Sequence, residues 1–382
     1  MTAPRPKIDP SLLGERLSAL PGLDPVREAA AGLRAYLVGG SVRDLLLGRE
    51  RADIDVAVEG DAVDELARRL GGDARTHERF ATATVRVDGL EIDLAATRAE
   101  TYARPGALPE ISPAPLLEDL ARRDFTLNAM AVPLSSPSEL VDPHGGLGDL
   151  ERGELRILHD GSFVDDPTRA LRAARYSARY GFTLELATAE RLREADLEAV
   201  SRDRREAELR KLAAEPEAAK GFALLSDWGL LAIGPDVPEL IDAVSEVVGA
   251  PPWAAIAERE EAVLRVALGR GIEEGRRLAD ATPARPSEGV ALARGRSGAE
   301  LALARALGAE WLDRYVSDWR QVRLEVDGDD LLAEGIPEGP AIGSGLAEAL
   351  RAKLDGEASG PEEELRVALR AALRAARESL GP

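Results

Sequence analysis

Residues 37–58 read Leu37-Val-Gly-Gly-Ser-Val-Arg-Asp-Leu-Leu-Leu-Gly-Arg-Glu-Arg-Ala-Asp-Ile-Asp-Val-Ala-Val58. The run Arg34 to Val38 reads as a strand that Gly39-Gly40 ends. Ser41 is a good N-cap for a helix over Val42 to Leu47, which Gly48 stops. Residues 53–58 alternate acidic and apolar side chains, as a strand with one buried face does. That period points Asp53 and Asp55 to the same side. Two carboxylates there repel unless a cation lies between them, and Mg²⁺ suits because it takes hard oxygen ligands and leaves room for phosphate and water. Asp93, in Glu91-Ile-Asp93 on a later strand, can add a third carboxylate. The glycine turn opens a helix whose N-terminus offers free N–H groups and partial positive charge to an anion, and Arg43, one turn in, can bridge to the same phosphate. Taken singly, paired acids are equally an exposed strand face, and a glycine turn is often a backbone requirement. Together they place phosphate beside metal, the arrangement of metal-assisted nucleotidyl transfer.

Outward from this stretch, residues 12–33 read as a helix leading into the first strand. A helix over 62–70 ends at Gly71-Gly72. Strands at 80–87 and 90–95 are joined by Asp88-Gly89, a hairpin signal. Residues 103–115 hold four prolines and one glycine and read as a loop. A helix begins near Leu116, and 133–149 is rich in turn residues. From about 162 onward the pattern is helical, with breaks near Gly221 and at 249–252, 281–289 and 335–344. The fold class expected is α+β: a head with a mixed or antiparallel sheet and helices, then an all-helical remainder.

Composition narrows the function. The chain has 382 residues and a net charge of −20, from 69 acidic and 49 basic residues. A protein that coats nucleic acid non-specifically needs cationic surface, so any RNA contact must be a narrow basic strip. Cysteine is absent, which excludes disulfides and thiolate metal sites. Zinc on imidazole is also disfavoured, since His77, His144 and His159 are not at ligand spacing. The N-terminal MTAPRPKIDP lacks the apolar run of a secretory leader, and no stretch approaches 18 apolar residues. A cytoplasmic location without membrane contact is expected.

Five ordered motifs now resemble one family, the class II tRNA nucleotidyltransferases (CCA-adding enzymes) and bacterial poly(A) polymerases. Leu37 to Asp44 with Asp53-x-Asp55 resembles its first motif, and Arg122-Arg-Asp-Phe-Thr-Leu-Asn-Ala129 its second. Asp142-Pro143 with Gly146 and Gly148-Asp-Leu150 resembles the third. Asp165-Asp-Pro-Thr-Arg169, running on to Arg172 and Arg175, is similar to the nucleotide-selecting fourth, and Ser201-Arg-Asp-Arg-Arg205 through Lys211 to the fifth. Val326 to Leu332 and Gly339 to Gly343 resemble the tail region. The likeness is dense over 36–212 and thinner to about 365.

The resemblance implies a nucleotidyltransferase head over 1–155, a helical neck over 156–220, a body over 221–320 and a tail over 321–382. It implies template-independent addition of C, A or both to the tRNA 3′ end from CTP and ATP, with Mg²⁺ as cofactor. The 3′-hydroxyl would attack the α-phosphate and pyrophosphate would leave. Asp53 and Asp55 would hold metal, with Asp93 beside them. Gly39, Gly40, Ser41 and Arg43 would meet the triphosphate, and Arg123, Asp124 and Asn128 the ribose region. Asp166 and Arg169 would face the base, with Arg172 and Arg175 nearby. The chemistry of the pair agrees: a carboxylate only accepts and a guanidinium only donates. C and A offer an amino donor beside a ring acceptor, whereas G and U offer the reverse. Read as i,i+3 neighbours on a helix, the two side chains would share a surface.

Asp165 stands where the family often has Glu. His77-Glu-Arg-Phe-Ala-Thr82 is closer to the tRNA branch than to the polymerase branch. A poly(A) polymerase and a non-catalytic RNA-binding paralogue are the competing readings. Whether CCA, CC or only A is added stays open, as do the role of the proline-rich loop and the oligomeric state, and no protein partner is identifiable.

Overall fold

The computed structural model describes residues 8–49, 54–77, 81–87 and 89–379. Asp53, Phe80 and Asp88, named above, lie outside them. The chain forms two compact units, residues 1–232 and 233–382.

The first unit is built on a six-stranded sheet. Its strands are β1 (Ala35–Val38), β2 (Ile54–Val58), β3 (Asp73–His77), β4 (Thr82–Val87), β5 (Leu90–Ala96) and, after a separate hairpin of β6 (Arg98–Thr101) and β7 (Glu110–Pro113), β8 (Ala131–Pro133). The order is β3-β4-β5-β2-β1-β8. Only β2 and β5 pair in parallel; the other neighbours are antiparallel. The sheet is therefore mixed, as expected.

Period-two alternation gives the sheet two different faces. Leu37, Ile54, Val56, Val58, Val85, Ile92 and Leu94 point into the main core. There they meet the short helices α1 (Leu13–Ser18), α2 (Leu23–Ala29), α3 (Gly40–Leu46) and α4 (Val63–Leu70). Each such side chain contributes about 1.5–3 kcal/mol by leaving water. The opposite face carries Asp55, Ala57, Thr84, Asp93 and Ala95 and borders a cleft. Part of it is covered by α5 (Leu116–Ala121), whose Leu116 and Leu120 pack on Val38, Ala57 and Ala131.

Behind the sheet come α6 (Gly146–Arg152), α7 (Ser162–Asp165), α8 (Thr168–Tyr180), α9 (Leu186–Arg191), α10 (Arg202–Ala213) and α11 (Ala218–Asp227), with a two-stranded pair of β9 (Glu154–Leu155) and β10 (Thr183–Leu184). The second unit holds α12 (Val237–Gly249), α13 (Arg259–Ala267), α14 (Ile272–Asp280), α15 (Pro286–Ala293), α16 (Gly298–Ala306), α17 (Trp311–Ser317), α18 (Gly328–Ala333), α19 (Pro340–Leu354) and α20 (Gly360–Ser379). The last three share a small core of Leu331, Ile336, Ala349, Ala368 and Ala372. No described helix is long and apolar enough to cross a membrane.

Several local expectations need correction. The helix expected over 12–33 is broken at Gly22, whose φ of +80° disfavours a side chain, and a Cβ there would lie 2.2 Å from Leu90 Cδ1. Ser41 is not the N-cap of α3; Gly39 is, and the Ser41 hydroxyl turns to Asp55 instead. The 103–115 segment is only partly a loop, because Glu110–Pro113 pairs with Arg98–Thr101 as a hairpin. Gly221 does not break a helix. It lies inside α11, where a Cβ would come within 2.4 Å of Leu212 Cδ1, so its smallness serves close helix packing. The break falls before it, at Glu215-Pro216.

Candidate active site

One cleft of about 1080 Å³ in the first unit is lined by Gly39, Gly40, Arg43, Asp55, Asp93, Arg123, Asp124, Asn128, Asp166, Arg169, Arg172 and Arg175. These come from the turn after β1, from α3, β2, β5 and α8 and from the segments that follow α5 and α7. Of the residues singled out from sequence, Ser41 is fully buried beneath the cleft rather than on its wall, and Asp53 is outside the described residues.

The acidic side is set by sheet register. Asp55 and Asp93 are direct partners on the parallel pair β2–β5, so their side chains leave the same face next to each other. Asp55 is fixed from behind: its backbone N–H donates to Ser41 Oγ at 2.9 Å, and the Ser41 hydroxyl lies 3.3 Å from Asp55 Oδ2. Thr84, across from Asp93 on β4, donates to Asp93 Oδ1 at 2.7 Å.

The cationic side is a set of clamped guanidiniums. Arg43 is buried, donating to Asn128 Oδ1 at 2.6 Å, to both oxygens of Asp44 at 3.0 and 3.1 Å, and to the Tyr180 hydroxyl at 2.6 Å. Four of its five N–H donors are thereby used. Asn128 in turn donates to Asp124 Oδ1 at 2.9 Å, and Asp124 Oδ2 accepts from Arg172 Nε at 2.7 Å. Burial alone would raise the Asp124 carboxyl. Arg172 and the Asn128 amide outweigh it and hold that carboxyl well below the usual range.

Arg123 is placed from two sides. Asp119, at 1% exposure, accepts from Arg123 Nε at 3.3 Å and Nη2 at 2.9 Å on one oxygen, and from Arg122 Nε at 3.0 Å and Nη2 at 2.6 Å on the other. Burial works against its ionisation, but Arg123 and Arg122 together keep its carboxyl depressed. Opposite, Gly39 leaves a notch: a Cβ on it would lie 2.7 Å from Arg123 Nη1.

The pair expected to face the base is held differently from the sequence reading. Asp166 is not on a helix surface; it lies in extended backbone between α7 and α8, which begins at Thr168. Its Oδ1 accepts from the Thr168 N–H at 3.1 Å, the Thr168 hydroxyl at 2.6 Å and Arg204 Nη2 at 3.0 Å. The side chain thus folds onto the first residue of the helix from the turn before it, which sequence spacing cannot distinguish from an i,i+3 pair. Arg169 is buried and donates to Ser162 Oγ at 2.6 Å and to the Arg122 carbonyl at 2.7 Å. Arg204, on α10, also donates to the Gly106 carbonyl at 2.9 Å, tying the turn between β6 and β7 to Asp166. Arg175 lies 3.9 Å from Glu208 and 3.7 Å from Glu215.

Sequence reading missed Asp119, Glu100 and the link made by Arg204. Asp119 had a signal: it stands three and four residues before Arg122 and Arg123 on one helix run. Glu100, which accepts from Arg122 at 2.7 Å and from the Tyr102 hydroxyl at 2.9 Å, comes from a distant strand and had none. Burial and Glu100 push the Tyr102 phenol up to about 12, so it stays a neutral donor.

Residues 35–156 match the Poly A polymerase head domain family. The chain is 33% identical to an A-adding tRNA nucleotidyltransferase of Geobacter sulfurreducens over 88% of its own length, and it spans only 45% of that relative. It is 36% identical to a CC-adding tRNA nucleotidyltransferase of Deinococcus radiodurans, over 89% of the chain and 90% of the relative. The chain belongs to the class II tRNA nucleotidyltransferase family. Solved members of this nucleotidyltransferase family agree in fold. A CCA-adding enzyme in an apo form superposes with a TM-score of 0.78 at 30% identity, over 96% of this chain and 99% of that one. The Thermotoga maritima CCA-adding enzyme complexed with tRNA gives 0.71 at 28%, over 94% and 98%. Class II tRNA nucleotidyltransferases use a divalent metal. Asp55 and Asp93 fit such an ion: they are hard oxygen donors, adjacent in register and open to the cleft.

Proposed function

We propose that the protein adds C, A or both to the 3′ end of tRNA, without a template, from CTP and ATP. The observation that carries this reading is the meeting of the glycine turn, the Asp55/Asp93 pair, Arg123, Asp124 and the Asp166/Arg169 pair on one cleft. The four-part division into head, neck, body and tail over 1–155, 156–220, 221–320 and 321–382 belongs to the same proposal, and so does a cytoplasmic location, where such a substrate resides.

Asp53, Asp55 and Asp93 are proposed to hold Mg²⁺, which when bound supplies charge neutralisation at the triphosphate and a lowered pKa for the attacking 3′-hydroxyl. The backbone at Gly39 and Gly40 receives phosphate. Arg43 keeps one N–H for it, and the rest of that guanidinium is braced by Asp44, Asn128 and Tyr180. Arg123 and Asp124 meet the ribose in a fixed orientation, Arg123 through Asp119 and Gly39, Asp124 through Arg172. Asp166 Oδ2 has no partner among the described residues and accepts the amino group of C or A, while Arg169 donates to the neighbouring ring acceptor. Fixed donors and acceptors of this kind act without reorganising when the nucleotide arrives.

The test is incubation with tRNA ending at nucleotide 73, with and without a divalent cation, and each labelled nucleoside triphosphate in turn. Addition of one to three residues limited to C and A supports the reading, and the identity of those residues fixes the CCA, CC or A choice. A long A tail converts the assignment to poly(A) polymerase, and absence of any incorporation favours a non-catalytic RNA-binding role.

A further inference from the structure

We infer that Tyr180, the last residue of α8, is a positioning residue: its hydroxyl sets the aim of Arg43, keeping that guanidinium turned to the triphosphate and away from Asp55. This deepens the function proposed above and rests on it. The contact joins residues 137 apart in sequence. Arg43 Nη2 donates to the Tyr180 hydroxyl at 2.6 Å, and that hydroxyl donates to Asp44 Oδ1 at 3.0 Å. A phenol has one proton to give and lone pairs to accept with, so both bonds are made at once. Burial raises the phenol above its ordinary pKa, so the proton stays in place.

The kind of group at position 180 matters. Asp44 already balances the charge of Arg43, accepting from Nε at 3.0 Å and from Nη2 at 3.1 Å. A second carboxylate would overbalance it and weaken its pull on phosphate. An apolar group would leave an Nη2 hydrogen unmet in a side chain that is 5% exposed, which is costly for a charged donor. A hydroxyl meets that hydrogen and adds no charge. Its place is fixed by the ring that carries it. The ring stacks on buried Phe182 with centroids 5.1 Å apart, and the guanidiniums of Arg49 and Arg179 lie 4.5 and 5.9 Å from its centre.

On its other side Arg43 approaches the acidic wall of the cleft. A Cβ built on Gly40 would lie 3.4 Å from Arg43 Nη2 and 3.8 Å from Asp55 Oδ2. Gly40 has no side chain, so it puts nothing between the cation and that carboxylate. Released from Tyr180, Nη2 can turn to Asp55. A guanidinium bonded there competes with a divalent ion for the same oxygen. The turn also carries away the N–H of Nη1 that faces phosphate. The Tyr180 hydroxyl prevents both losses by holding Nη2 from the neck side.

The experiment compares the full chain with its Tyr180→Phe variant, which keeps the ring and its stacking and removes only the hydroxyl. Calorimetry without tRNA, so that no transfer occurs, measures the binding of CTP and of CMP. Affinity for CTP should fall roughly 5- to 20-fold, as for one disturbed bond to a charged group, while affinity for CMP changes less than about twofold. Electron paramagnetic resonance without nucleotide measures Mn²⁺, whose affinity should fall roughly two- to fivefold because a cation then competes for Asp55. Added to Arg43→Gln, the same substitution should lower neither affinity further, since Tyr180 acts through Arg43. A Tyr180→Phe variant that binds CTP and Mn²⁺ as the wild type does overturns the assignment. So does an equal loss of CTP and CMP, or a loss that persists beside Arg43→Gln; either makes Tyr180 a packing residue. A wild type that binds no CTP and adds neither C nor A sinks the proposed function. A wild type that does both, beside an unchanged variant, sinks the role of Tyr180 alone.

Discussion

In the cleft, Arg43, Arg122, Arg123 and Arg172 are held by the carboxylates of Asp44, Asp119, Glu100 and Asp124, all largely buried. On α20, Arg370, Arg374 and Arg377 stand in water with no carboxylate partner among the described residues. The same side chain is used in two ways. A clamped guanidinium has one orientation and can distinguish the parts of a small ligand. An unclamped one offers charge without a fixed orientation. The acidic surplus of the chain is thus partly a set of braces for the cations of the cleft, which reconciles a net charge of −20 with the polyanionic substrate proposed.

The comparison sharpens first at the acids proposed to hold metal. Asp55→Ala, and Asp53→Ala with it, should lower incorporation roughly a thousandfold or more, since a metal site supplies several kcal/mol to charge development. Circular dichroism and melting should be unchanged; an active Asp55→Ala enzyme would refute the metal assignment. Next is the Asp124–Arg172 brace. Asp124→Asn should cost about 2–4 kcal/mol in chemical denaturation, below the full range for a buried pair because Arg172 keeps 29% of its side-chain surface exposed. Asp124 and Asp119 both have depressed native carboxyl pKa values. Their stabilisation is therefore complete above the ordinary carboxylate range and is lost as pH falls below it. Melting followed from pH 7 downward should show that loss, and Asp124→Asn should show less of it.

A smaller effect is expected at the base. Asp166→Ala or Arg169→Ala should relax discrimination against UTP and GTP by roughly 10- to 100-fold, with little change in triphosphate affinity, because a paired donor and acceptor is worth about 1–3 kcal/mol of base choice. Equal loss for all four nucleotides would make the pair structural. A conservative swap tests the clamped side of the comparison most directly. Arg123→Lys should fail in catalysis, since lysine cannot bridge Asp119 in the same fork.

The sheet and its cleft-side face were legible because they follow period two. Alternation in 54–58 and 90–95 separates Asp55 and Asp93 from Ile54, Val56, Ile92 and Leu94, and that separation holds in three dimensions. The glycine turn was legible as a turn, but not the reason for it: only the fold shows that Arg123 occupies the space beside Gly39. The helical breaks were legible where proline or glycine ends a helix, as at 249–252, and misread at Gly221, where glycine permits close packing instead. The hairpin partner of Arg98–Thr101 was hidden because prolines masked a strand, and prolines at Pro109 and Pro113 are tolerated at its ends. Asp166 was assigned to a helix face because spacing alone cannot tell a helix position from the turn that caps it.

The notch at Gly39 has a genetic consequence. A side chain there displaces the Arg123 guanidinium besides straining the backbone at φ +64°, so Gly39→Ala and Arg123→Ala share one displaced group. Their combination should be markedly less damaging than the product of the two single defects, an interaction energy within the roughly 0.5–3 kcal/mol seen for touching residues. Positions 39 and 123, in separate segments of the chain, behave as one locus: variation at either is constrained by what stands at the other.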